Sequence, residues 1–253
     1  MIRPRVITIL LLRGEGLYKG IQFKDYKYVG DPINAVKIFN DKDVDELIFL
    51  DISATNENRT PRRAVIEKLA DDCYMPFAFG GGIKKIEDIR EILSAGSEKV
   101  SINTAAIENP NLIKEAASIF GSQSIIVSID YKKERVGSYR VCTHSGLKKT
   151  ELNPIDWVIR AAKLGAGEIL LNSIDRDGTM QGYDLDMLSR VSKTVSIPVI
   201  ACGGAGKLND FHDAVNIGSA SAVAAGSMFV FHGRQRAVLI SYPDEEELKT
   251  IFL

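Results

Sequence analysis

The 253-residue chain has almost no net charge: 32 Lys and Arg stand against 33 Asp and Glu. A balance of −1 removes the electrostatic case for a nucleic acid or an acidic membrane as partner, because either would select a basic surface. Cysteine is scarce as well. Cys73, Cys142 and Cys202 are odd in number, far apart and without CxxC spacing. They predict reduced thiols in a cytoplasmic protein and give no support to a zinc site. His144, His212 and His232 lack metal-ligand spacing and are assigned to surface or packing roles. No metal and no cofactor is expected. The apolar opening Val6 to Leu12 is too short to span a bilayer and carries no signal-peptide cleavage pattern. No linker rich in Pro, Gly or Ser divides the chain, so residues 1–253 are expected to form one domain.

What the sequence does contain is a packed core and an internal repeat. Hydrophobic residues make up 45%, enough to exclude disorder. Pro76, Gly81, Gly82, Lys85, Asp88, Gly96 and Ser97 recur at one constant offset as Pro198, Gly203, Gly204, Lys207, Asp210, Gly218 and Ser219. Each copy reads as strand, glycine turn, helix, strand. Two structurally equivalent halves follow from such a repeat.

Further segments complete the pattern. Val6–Leu12 is a nearly continuous apolar run, as expected of a parallel strand covered on both faces. The glycine-bearing stretch 13–27 is expected to be a mobile loop. Asp31-Pro32 opens a helix with Ala35, Ile38 and Phe39 on its apolar face. Strands are expected at 46–51, 99–103, 124–130 and 168–173, with a β-hairpin excursion between about 131 and 150 and a closing helix at 245–253. Eight strands alternating with helices, with unusual polar residues just past the strand ends, predict a (β/α)₈ barrel whose ligand site lies at its C-terminal face. A doubly wound open sheet is the alternative. The two-half repeat favours closure, which leaves no sheet edges.

Glycine turns between strand and helix let backbone N–H groups approach an anion closely. Gly82 with Asn103 and Thr104 would form one cup. Asp177, Gly178, Gly204, Ala205, Ala225 and Gly226 would form the other. The plain alternative is that these glycines only serve tight turns. A pair of cups related by the repeat favours a substrate with a phosphate at each end. Asp130 closes an apolar strand, where burial would raise its pKa for acid–base work, and Asp51 has similar standing. Asp175 and Asp177 sit in a turn and are expected to organise backbone amides. The matching position at the end of strand one is Leu11, which transfers no proton. Arg5, Glu46, Lys99 and Glu168 stand at strand starts, at the opposite end from the cups. Solvated strand termini are the expected reading of those charges; a closed ring of salt bridges is the alternative.

Phe79-Gly80-Gly81-Gly82-Ile83, Lys99-Val100-Ser101-Ile102-Asn103-Thr104-Ala105-Ala106, Asn172-Ser173-Ile174-Asp175-Arg176-Asp177-Gly178-Thr179 and Gly203-Gly204-Ala205-Gly206 resemble the cyclase subunit of imidazole glycerol phosphate synthase. The resemblance runs from Arg5 to about Phe231. It implies a (β/α)₈ barrel, a lyase-type synthase subunit, that binds a bis-phosphorylated substrate. It also implies a partner glutaminase whose ammonia enters at the bottom of the barrel and reacts at the top. The family's phosphate-binding residues fall on Gly82, Asn103, Thr104, Asp177, Gly178, Gly204, Ala205, Ala225 and Gly226, the last in place of serine. Its charged gate falls on Arg5, Glu46, Lys99 and Glu168, and its mobile-loop lysine on Lys19. Of its two essential aspartates the second is Asp130, whereas the first falls on Leu11. Ile9 replaces a cysteine, Asn172 a threonine and Cys202 a serine. These departures cluster at the mouth of the barrel.

The pattern is also similar to a divergent subgroup encoded beside a glutaminase-like partner and a sugar amidotransferase in surface-polysaccharide pathways. That likeness implies ammonia delivery for amidination of an N-acetylated sugar nucleotide. Tyr28-Val29-Gly30-Asp31-Pro32 and Met180-Gln181-Gly182-Tyr183-Asp184 fit it. Three readings therefore stand open: an ammonia-conducting barrel with little cyclase activity, an authentic cyclase of histidine biosynthesis, and a non-catalytic binder of a phosphorylated metabolite.

Overall fold

A computed structural model of the chain describes residues 3–134, 137–233 and 235–252. Its eight barrel strands are β1 (Arg5–Arg13), β2 (Glu46–Asp51), β3 (Phe77–Gly80), β4 (Lys99–Ile102), β5 (Ile125–Lys133), β6 (Glu168–Ser173), β7 (Val199–Cys202) and β8 (Ala222–Ala225). Each pairs in parallel with the next in sequence. The circle closes between β8 and β1, where Arg5 lies opposite Ala222 and Thr8 opposite Ala225. This is the (β/α)₈ barrel predicted from the sequence. Among the described residues no helix is long and apolar enough to cross a membrane.

Strand periodicity divides the apolar residues into two clusters. One set of alternate side chains points into the barrel, where Ile7, Ile48, Ala78, Ile126, Leu170, Ile200, Ala222 and Ala224 pack together. The other set points outward against the helices in a larger core that includes Phe39, Phe49, Phe77, Trp157 and Phe211. Burial on both faces is why β1 reads as an unbroken apolar run.

Asp31 caps the first helix, Pro32–Asn40, as expected: its Oδ1 accepts the Asn34 N–H at 2.9 Å. Val36, rather than the expected Ile38, joins Ala35 and Phe39 on the buried face, and Ile38 is 38% exposed. The repeat holds at the level of hydrogen bonds. Asp88 Oδ2 accepts the N–H groups of Lys84 and Lys85 at 2.8 and 3.2 Å. Asp210 Oδ2 accepts those of Gly206 and Lys207 at 2.8 and 3.1 Å. Both aspartates are buried and clamp the first turn of the helix that follows a glycine turn.

Two stretches differ from expectation. Residues 13–27 are not a structureless loop: Gly16–Ile21 and Lys24–Gly30 form an antiparallel hairpin that pairs back onto β1, Leu11 opposite Tyr18. The pairing is possible because β1 runs past the barrel rim before turning at Gly14, whose φ is +61°. Tyr18 and Tyr28 then pack edge to face at 5.6 Å. The excursion after β5 is a hairpin as expected, Tyr139–Thr143 pairing with β5 and with Lys148–Lys149. Arg135 and Val136 within it lie outside the described residues. The closing helix runs Glu245–Phe252, and Leu253 lies outside the described residues.

Candidate functional site at the two ends of the barrel

At the N-terminal end the four charged strand starts do not fray into solvent. Arg5 pairs with Glu46 and, at 3.0 Å, with Glu168. Lys99 Nζ donates to Glu46 at 3.0 Å and to Glu168 at 3.1 Å. The four therefore close a ring of alternating sign, and the expectation of solvated termini is corrected. The reason is geometric: strands brought to the same level by the barrel aim these side chains at one another across its axis. Glu46 is almost wholly buried. Two residues further along each strand, on the same face, come Ile7, Ile48, Ser101 and Leu170, which lead from the ring into the lumen.

The C-terminal end opens into a cavity of about 1170 Å³, its mouth included. The chain's predicted phosphate and acid–base residues converge there: Leu11, Lys19, Asp51, Asp130 and every residue assigned to the two cups line it. Gly81 and Gly203 have φ of +103° and +85°, Gly82 and Gly204 of +74° and +120°. A side chain at any of the four would press on neighbouring backbone, so glycine is required at both turns. Thr104 Oγ1 accepts the His144 N–H at 3.0 Å and ties the first cup to the excursion after β5.

Asp130 stands at the centre. Asn172 Nδ2 donates to its Oδ1 at 2.9 Å, and Asn103 Nδ2 to its Oδ2 at 3.2 Å. Burial pushes its carboxyl up to about 7, the Asn172 bond offsetting part of the rise. Asp51 differs. Arg59 donates to both its oxygens, at 2.9 and 3.2 Å, and Oδ1 also accepts the Ser53 and Ala54 N–H groups at 3.2 Å. That carboxylate shapes the turn after β2.

Asp175 behaves as a turn organiser, accepting the Lys133 N–H at 2.8 Å. Asp177 also engages a backbone amide, its carboxylate being held by the Phe23 N–H. Its main-chain oxygen accepts the Gln22 N–H at 2.8 Å, while burial raises its carboxyl to about 6 against the pull of Lys19 and Arg236. Lys19 is buried, its ammonium donates to the Ile9 carbonyl, and burial lowers it to about 8. Burial also pushes the Cys202 thiol well above its ordinary range.

Leu11 takes its place in the mouth with Ile9 and Leu50. Phe23 and Tyr26, from the hairpin after β1, join them and had no sequence signal, because only the hairpin's fold-back brings them over the cavity. Arg236 was missed for the same reason. Among the described residues no group of three or more His, Cys, Asp and Glu could hold a metal ion.

A closed barrel with a cavity at the carboxyl ends of its strands defines the class, a (β/α)₈ barrel. Within that class the chain belongs to the histidine biosynthesis protein family, whose model matches residues 8–235. A Pseudomonas aeruginosa protein provisionally named imidazole glycerol phosphate synthase subunit hisF2 is 50% identical over 98% of this chain and 99% of its own. A Leptospira interrogans protein with the provisional name imidazole glycerol phosphate synthase subunit HisF is 47% identical over the full length of both. The imidazole glycerol phosphate synthase subunit HisF of Alkaliphilus metalliredigens is 45% identical over 92% of each chain. The chain is thus a HisF-type barrel, and a divergent copy of that type.

Proposed function

We propose that this barrel docks a glutaminase on its N-terminal face, conducts ammonia along its axis and serves the amidination of an N-acetylated sugar nucleotide in surface-polysaccharide synthesis, lipopolysaccharide included. Cyclase activity of its own is weak or absent. The setting is the cytoplasm, and a sugar amidotransferase receives the ammonia at the mouth. The observation that carries this reading is the contrast between an intact charged ring and a mouth with Leu11 where an acid–base partner of Asp130 would stand.

Neutral ammonia crosses an apolar lumen at far lower cost than ammonium, which pays the desolvation of a full charge. The ring balances two cations with two carboxylates. It therefore presents fixed donors and acceptors to an entering ammonia without a large net field. At the exit Asp130, with its carboxyl near 7, holds or releases a single proton at neutral pH. The Asn172 Oδ1 beside it is buried without a partner and can accept an ammonia N–H. Asp51 keeps the turn after β2 in place. The cups hold a bis-phosphorylated molecule or phosphate.

The test is turnover of the imidazole precursor by the purified barrel with its glutaminase, using ammonia as donor. The expected result is trace turnover; a rate like that of ordinary HisF chains overturns the proposal. An authentic cyclase of histidine biosynthesis is the second reading, favoured by the near-neutral Asp130 and by the names of the relatives.

A further inference from the structure

Exposed apolar side chains stand at both ends of the barrel. Tyr74, Ile119 and Ile217 lie at or just past helix ends beside the strand starts, on the face proposed for the glutaminase. At the opposite end Tyr28 and Leu147 stand in the hairpins around the mouth, and Leu147 is 78% exposed. A groove of about 840 Å³, its open side included, lies at that end between the hairpin after β1, the turn after β2 and the excursion after β5. Phe23, Tyr26, Ile52 and Ser145 line both the groove and the cavity, so whatever fills the groove stands at the edge of the mouth.

The groove carries unbalanced positive charge. Its one carboxylate, Glu57, is taken by Arg59, which leaves Arg13 and Lys24 on its wall without an ion-pair partner among the described residues. Leu147 beside them is exposed on a fixed support. Its N–H donates to the His144 carbonyl at 3.2 Å, and Ser145 Oγ donates to the Ile52 carbonyl at 2.9 Å, tying the turn to the far wall of the groove. Gly146, at φ +78°, sits where a Cβ would press on the Phe23 ring. A leucine held this way costs little conformational entropy to bury and returns most of its transfer free energy, which suits an interface anchor. A small ligand in the groove would leave Leu147 in water; a protein surface covers it. Two unpaired cations beside that anchor match an acidic surface. The conduit selects among such proteins, because ammonia that escapes into neutral water takes up a proton and is lost as a nucleophile. An enzyme that consumes it must cover the exit.

We propose that this groove is the seat of the ammonia-consuming enzyme, an acidic-faced protein that sets carboxylates against Arg13 and Lys24 and covers Leu147 with an apolar pocket. The proposal rests on the reading of the barrel as an ammonia conduit and adds the surface by which the acceptor is held.

The experiment is biolayer interferometry of the purified barrel–glutaminase complex against the cognate sugar amidotransferase, repeated with Leu147→Asp and with the double variant Arg13→Glu, Lys24→Glu. All three residues are exposed, so circular dichroism melts are expected to match wild type. Wild type is expected to bind. Leu147→Asp should weaken the complex about tenfold or more, and the charge reversal should slow association several-fold, as added salt should in wild type. The glutaminase should be retained in every variant. Binding that ignores both variants overturns the groove as the seat and leaves the conduit standing. Binding of UDP-N-acetylglucosamine to the barrel that the charge reversal abolishes assigns the groove to a small anion and overturns the proposal. Self-association of wild type that Leu147→Asp abolishes assigns it to a second copy, with the same consequence. No binding of the amidotransferase to wild type also overturns the docking, whereas the conduit reading falls only on ordinary turnover of the imidazole precursor.

Discussion

The two ends of the barrel have been treated differently. At the N-terminal end four charges from four strands close a ring in which every member has two partners. At the C-terminal end the turns keep their glycine geometry, and Asp130 shares its cavity with the apolar Leu11, Ile9 and Leu50. A closed ion ring has no spare tolerance, since loss of one member strands its neighbours in a poorly solvated place. A mouth open to solvent can exchange a carboxylate for a leucine and still fold. The proposed ammonia entrance and the proposed loss of cyclase chemistry rest on this difference between the ends.

The sharpest way to break this comparison is to rebuild the mouth. Leu11→Asp would face Asp130 across the cavity, and cyclase turnover should rise by about 10² or more, the scale of one positioned acid–base group. A rate that does not move in a steady-state assay would show that the missing carboxylate is not what limits the mouth.

Asp130 itself offers the next largest effect. Its folded carboxyl, at about 7, lies above the ordinary aspartate value near 3.9, so the folded state binds its proton more tightly than the unfolded chain. The stability this contributes is fully present below about pH 4 and is lost as pH rises to about 7. Asp130→Asn should remove that contribution, a change of a few kcal/mol between pH 4 and 8 in the difference of unfolding free energies measured by denaturant titration. Asp177, raised to about 6, titrates in the same window and its charge adds to the rise of Asp130, so the difference reports the coupled pair.

At the ring, Glu46→Gln removes the carboxylate shared by Arg5 and Lys99. Urea unfolding should show a loss of about 2 kcal/mol, below the usual cost of breaking a buried pair because Arg5 is about one third exposed. Ammonia-dependent output of the complex should fall with it, whereas phosphate binding at the far end should not change.

The smallest effect compares the two halves rather than the two ends. Asp88→Ala and Asp210→Ala each remove one buried helix clamp, and each should cost about 1 kcal/mol in thermal or chemical melts. Unequal losses would mean that the halves are no longer energetically equivalent.

How far the sequence reached differs by feature. The barrel was legible because alternate apolar strands, glycine turns and an offset repeat are local signals, each readable over a dozen residues. The glycine turns were legible for the same reason: Gly82 and Gly204 take backbone angles that other residues seldom adopt. Asp130 could be singled out as a carboxylate ending an apolar strand. The ring resisted the residue-by-residue reading, since Arg5, Glu46, Lys99 and Glu168 stand far apart in the chain and look like ordinary strand termini. Phe23, Tyr26 and Arg236 gave no local signal.

The sequence by itself thus determined the strands, the repeat, the turns that need glycine and the leucine at position 11. Periodicity and backbone sterics act within a few residues and leave their mark in the order of the amino acids. Closure of the barrel decided the rest. It fixed which four charges meet on the axis, and the hairpin folded over its mouth decided that Lys19, Phe23 and Tyr26 would line one cavity with Asp177. Those are contacts between distant segments, set by the distance across a closed sheet, and no short stretch of chain encodes them.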